Sequence, residues 1–172
     1  MGESKNGYFR VGFNRKLKIG FKGAQVTSDG ELVAIREMDQ QLGLTKIAGE
    51  YLKDKRRGKN IRHEMEGLLR QSVYSRLGGY EDTNDAEELR KDPGMRAVIG
   101  NRALEKSGAG ETTVGRFEKE ILLEGDNLGK LDEILKRWIE KIDSVRGIRE
   151  IILDIDSSES RSVWGAGRVK LQ

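Results

Sequence analysis

Three apolar residues, Ile151, Ile152 and Leu153, run without a break into Asp154, Ile155 and Asp156 near the end of the 172-residue chain. A run this short, followed by Ser157-Ser158, reads as a strand buried on both faces. Side chains alternate along a strand, so Asp154 and Asp156 share one side while Ile155 takes the other. Two carboxylates at that spacing repel each other unless a cation sits between or above them. Their oxygens suit a hard divalent ion such as Mg²⁺ or Mn²⁺. The plainer alternative is a strand that ends in solvated acids and a Ser-Ser turn.

The chain ahead of this strand is patterned mostly for helix. Phe9, Val11, Phe13, Leu17, Ile19 and Phe21 are all odd-numbered, the period-two signal of one or two short strands, although Gly12 and Gly20 weaken it. From Ser28 onward the period changes. Ser28 and Glu31 have capping-box spacing ahead of Leu32, Ile35, Met38 and Leu42 on one face, with Gly43 as a stop. Thr45 is placed to cap a second helix bearing Ile47, Ala48, Tyr51 and Leu52. Asn60 is placed to cap a third, with Met65, Leu68, Leu69, Val73 and Leu77 before Gly78-Gly79. Asn84 and Glu87 repeat the capping-box spacing, and Asp92-Pro93 opens a helix with Met95, Val98 and Ile99. Asn127 is placed to cap the last and clearest helix, whose Leu128, Leu131, Leu135, Trp138 and Ile142 recur at steps of three and four.

Charge is distributed unevenly. KDKRRGKNIR, residues 53–62, holds Lys53, Lys55, Arg56, Arg57, Lys59 and Arg62 against Asp54, a local charge of +5 in a chain whose total is +3. The remainder therefore sums to −2, so the basic character is concentrated here. A basic loop delivering the start of a helix suits phosphate, and this segment is the expected nucleic-acid contact. YEDTNDAEELRKD, residues 80–92, is acidic and is expected to stay away from phosphate. His63 is the only histidine and there is no cysteine, which excludes a disulfide framework and familiar zinc spacings; His63 is expected at the surface, in the first helical turn. SGAGETT, residues 107–113, lacks the Lys-Ser/Thr ending and the preceding strand of a phosphate loop. The helices around that break could form a helix-turn-helix offering Thr112, Thr113, Arg116 and Lys119 to DNA. No stretch reaches membrane length and no signal-peptide core is present, which points to a soluble, cytosolic chain.

A long helical region followed by one buried strand is an unfinished architecture, and the order of its parts resembles a known family. LTKIAGEYLKD, GGYEDTNDAEELRKDPGMRAVIG, TVGRFE and then a long helix leading to REIILDIDSS are similar in order and spacing to the DDE-type transposases of bacterial insertion sequences, over roughly residues 25–160. The resemblance implies an N-terminal helical region that binds the element's inverted-repeat ends. It also implies that the strand opens a ribonuclease-H-like α/β core using two Mg²⁺ ions to cut and join phosphodiester bonds. Asp156, followed by Ser157-Ser158, fits the family's first catalytic aspartate, with Asp154 as its same-face companion. These two acids supply at most half of a two-metal site, so Mg²⁺ or Mn²⁺ belongs to the complete enzyme and is not expected to be held stably by them alone.

The expected organisation is a mainly α chain: an extended β segment over 1–27, a helical DNA-binding region over 28–146 and the first strand of an incomplete ribonuclease-H-like core over 147–160. Residues 161–172, RSVWGAGRVKLQ and its flank, depart from the family and are read as a premature end, which leaves the fragment inactive alone. The expected partner is double-stranded DNA, with a homodimer as a candidate assembly and no membrane association. A non-enzymatic DNA-binding regulator is the main rival, since the helical region could act without catalysis. A haloacid-dehalogenase-like phosphatase shares the Asp-x-Asp motif but needs a full α/β domain behind it.

Overall fold

The computed structural model describes residues 2–3, 8–20, 27–57 and 61–147. Apart from Gly147, the expected strand segment 147–160, with Asp154 and Asp156, lies outside them, as do the tail 161–172, Phe21, Lys59 and Asn60. The described chain is mainly helical, with a small antiparallel sheet of β1 (Gly2–Glu3), β2 (Phe9–Arg10) and β3 (Lys18–Ile19) in that order, Phe9 facing Ile19. Eight α-helices follow: α1 (Glu31–Leu42), α2 (Leu44–Tyr51), α3 (Met65–Leu77), α4 (Ala86–Leu89), α5 (Pro93–Ile99), α6 (Asn101–Glu105), α7 (Glu111–Arg116) and α8 (Asp126–Arg146). A 3₁₀ turn at Thr83–Asp85 leads into α4, and α7 continues as a π-helical stretch, Phe117–Leu122.

Helix α3 is the centre, packed against α1, α2, α5 and α7. It is buried almost all round, so its polar side chains had to find partners inside the protein. Arg70 pairs with Glu66 and donates to the Ile99 carbonyl at 3.2 Å, and Ser75 donates to the Gln71 carbonyl at 2.6 Å. One core joins Leu52, Leu68, Ala109, Val114, Phe117 and Ile134 on the side of α2, α7 and α8. A second joins Leu32, Tyr74, Leu89, Met95 and Val98, and Val73 touches both. Val11 is buried in this second core and Phe13, Leu17 and Ile19 pack on it, so the N-terminal hairpin is part of the same packing.

Several helix ends differ from the expected caps, because side chains from elsewhere took those roles. Helix α1 begins at Glu31 behind Gly30, and Ser28 bonds its neighbour Asp29 instead. Its buried face is Leu32, Val33, Arg36 and Asp39, which leaves Met38 outside. Gly43 does end α1, in the left-handed conformation at φ 75° that favours glycine. Thr45 is buried and caps nothing; Asp39 reaches across the turn to accept from the Thr45 amide at 3.0 Å and from its hydroxyl. Helix α3 starts at Met65, later than a cap at residue 60 would place it. Asp82 rather than Asn84 caps its turn, accepting from the Asn84 amide at 3.2 Å, whereas Asp92 caps α5 as expected, accepting from the Met95 amide at 2.7 Å.

Helix α8 is turned relative to its apolar repeat. Ile134 is buried, while Leu128 and Leu135 are 53% and 50% exposed. Asn127 is not its cap. It is inside, accepting from the Lys53 amide at 2.9 Å and donating to the Lys53 and Ile121 carbonyls, so it ties α8 to the segment after α2.

Among the described residues Asp39 is the most connected buried carboxylate, also accepting from the Tyr74 hydroxyl at 2.7 Å and facing Arg36 at 3.5 Å. Asp39→Ala orphans all these donors and is expected to cost about 3–5 kcal/mol in urea unfolding. Tyr74→Phe, which removes one bond, should cost about 1 kcal/mol. Equal losses for the two would show that Asp39 serves Tyr74 alone.

Candidate nucleic-acid interface

A basic cleft of about 620 Å³ opens where the segment before α3 faces the turns around α4, α6 and α7. Arg56, Arg57 and Arg62 come from the first side, Arg90 follows α4, and Arg102 and Lys106 come from α6 and its end. Glu87 is the one acid among the described residues lining it. The remaining wall is the glycine-rich segment, with Ser107, Gly108, Gly110, Thr112 and Thr113.

That wall is held from beneath. Gln71 on α3, 1% exposed, donates to the Ala109 carbonyl at 2.6 Å and accepts from the Ala109 amide at 2.8 Å. The Gly108 amide donates to the Arg90 carbonyl at 3.0 Å. A Cβ at residue 108 would lie 3.1 Å from the Arg90 Cα and 3.2 Å from the Gln71 Oε1, tighter than ordinary contact, so the close approach favours glycine. Arg96 donates to the Ala103 and Leu104 carbonyls at 2.9 and 2.8 Å, holding the C-terminal end of α6, the short helix that carries Arg102 and is followed by Lys106.

The expected basic run divides into two groups. Lys53 pairs with Asp126 at 3.1 Å and Lys55 with Glu124 at 2.7 Å, both at the start of α8 and outside the cleft lining. These contacts hold the Asp126 carboxyl below its usual range and raise the Lys55 ammonium. Arg56 lines the cleft but is forked onto Asp54, at 2.8 and 2.6 Å, and donates to the His63 carbonyl at 3.0 Å. Its hydrogen bond lowers the Asp54 pKa. Arg57 and Arg62 line the cleft with no ion-pair partner among the described residues.

Three cleft cations escaped sequence reading because they belong to no charge run: Arg90, Arg102 and Lys106. Arg90 and Glu87 both belong to the acidic segment 80–92, and both line the cleft. Glu87 accepts from the Glu111 amide at 3.1 Å and faces the Arg90 Nε at 3.0 Å, a contact whose N–H is not aligned for a hydrogen bond. The SGAGETT segment is no phosphate loop of the strand-loop-helix kind, yet it lines the basic cleft.

His63 is half-buried and precedes α3 rather than lying in its first turn. Burial lowers its pKa below the ordinary 6.5, and Arg102, Arg56 and Arg62 push it the same way. Among the described residues no group of three or more His, Cys, Asp or Glu could hold a metal, so no metal chemistry is assigned to them. No helix among them is long and apolar enough to cross a membrane.

Cations from three segments, the run before α3, the end of α4 and α6 with its end, thus line one open cleft in a helical unit. The chain belongs to the DDE transposases: the family described as transposase DDE domain group 1 matches residues 9–170. That match begins earlier and runs further than the motif resemblance over 25–160, and takes in most of the tail expected to depart from the family. No curated protein and no solved structure matches the chain. Membership makes transposition the function and DNA the substrate, in a family that generally uses divalent metal ions.

The His63 shift fixes a pH dependence. The unfolded chain takes up a proton near pH 6.5 that the folded chain resists, so stability is complete above that pH. It declines as pH falls from 6.5 to the lower folded value. The urea midpoint of the wild type is expected to drop on going from pH 7.5 to 5 by more than that of His63→Gln. A parallel decline in both would remove His63 from this role.

Proposed function

We propose that the basic cleft is where this transposase holds the phosphate backbone of its DNA. The observation that carries the reading is the gathering of Arg57, Arg62, Arg90, Arg102 and Lys106 around one cleft with a single lining acid. Like charges brought this close raise each other's energy unless an anion joins them, and a duplex presents phosphates at regular spacing. The element's inverted-repeat ends are the DNA the family resemblance points to, and Asp156 with Asp154 are the acids proposed for metal binding in strand cleavage and joining. Lys53, Lys55 and Arg56 act in this reading chiefly as structural ties, since their charges are already matched.

The test is duplex binding by fluorescence anisotropy over a salt series. Five phosphate contacts correspond to a slope of log K against log salt of about −4.5. Arg57→Ala, Arg62→Ala and Arg102→Ala combined should flatten it by about 2.7 and weaken all sequences alike. Lys53→Ala with Lys55→Ala should leave it nearly unchanged. The opposite ranking would move the interface to the start of α8 and overturn the cleft.

A further inference from the structure

The helical segment Glu111–Leu122 borders the cleft but contributes none of its cations, and its exposed side chains call for a different role. Thr112 and Arg116 are exposed and fall at i and i+4, one face of α7, while Val114 and Phe117 are buried. Thr112 also lines the cleft, so this face is continuous with it. Arg116 has no hydrogen-bond or ion-pair partner among the described residues, whereas Arg56, Arg70, Arg76 and Arg90 all have one.

Both ends of this segment are anchored to α3. Gln71 grips Ala109 ahead of it, and Glu118 on its far side accepts from Arg76 at 2.7 and 2.9 Å and from Ser72. Burial raises the Glu118 pKa, but the bonds from Arg76 and Ser72 outweigh it and keep the carboxylate charged. A helix so anchored presents its outer side chains in fixed positions, which recognition of individual bases requires and general phosphate attraction does not.

We propose that this face is the base-reading element, with Arg116 and Thr112 touching base edges while the adjacent cleft arginines hold phosphates. A helix 10–12 Å across fits the roughly 12 Å major groove. An unpaired guanidinium suits the O6 and N7 of guanine, and a threonine suits a base edge or the thymine methyl. Glu120, exposed beside Lys119, disfavours phosphate against this face and suits a base donor. The inference rests on the DNA-binding reading and adds the origin of its sequence preference.

The test uses the full chain and a library of duplexes with a randomised core, selected and sequenced, then measured as chosen motif against scrambled duplex. Arg116→Lys keeps the charge but loses the two-pronged geometry, and Thr112→Val keeps the shape but loses the hydroxyl. Each is expected to reduce the preference for the motif by about tenfold; Arg116→Lys, which stands outside the cleft lining, should leave affinity for scrambled duplex and the salt slope unchanged. Both variants keeping the wild-type preference would overturn the assignment. A wild type that binds duplex with a steep salt slope but selects no motif would also overturn it, leaving the phosphate cleft standing. Failure to bind any duplex would remove both.

Discussion

One buried carboxylate, Asp39, holds the arrangement of α1, α2 and α3 together. It serves as the distant cap of α2, through the Thr45 amide, and as the acceptor for the Tyr74 hydroxyl of α3. Taking a carboxylate out of water is costly, and it is offset here by several donors and by the Arg36 guanidinium. The neighbours bear the same environment: burial and the bond to Asp39 push the Tyr74 phenol well up, and burial with the nearby Arg70 lowers Arg36. Arg36 in turn lies over the Phe13 ring, 5.1 Å from its centre, which brings the N-terminal hairpin onto the same hub.

From this hub the placement passes to the cleft through α3. The helix fixed at Tyr74 presents Gln71 to Ala109 and Ser72 with Arg76 to Glu118, so the glycine-rich wall and the helix after it take their positions from α3. The cleft is therefore a product of core packing. Its cations stand on turns and short helices that would otherwise have no reason to be adjacent. Glu87 moderates their repulsion, bridging the Arg90 side and the Glu111 amide.

The charge run has a divided fate for a similar reason. Asn127 binds the Lys53 backbone, which sets the start of α8 beside the run and brings Asp126 and Glu124 within reach of Lys53 and Lys55. Exposed pairs of this kind contribute little stability, but they cancel charge locally. What remains unmatched lies further along, at Arg57 and Arg62, and joins cations from α4 and α6.

The sequence by itself determined the mainly helical class, the short N-terminal strands, the Asp92-Pro93 helix start, the Gly43 stop and the family, because these depend on local period, backbone chemistry and motif order. It also located half of the cleft, through Arg56, Arg57 and Arg62. Only tertiary structure decided that Asn127 and Thr45 would be inside, that Leu128 and Leu135 would be outside, and that Arg90, Arg102 and Lys106 would meet the basic loop. A cap or a core position is a choice among competing partners, and a cleft is a sum of charges over distance. Both depend on which residues far apart in the chain are brought together, and spacing along the chain does not carry that information.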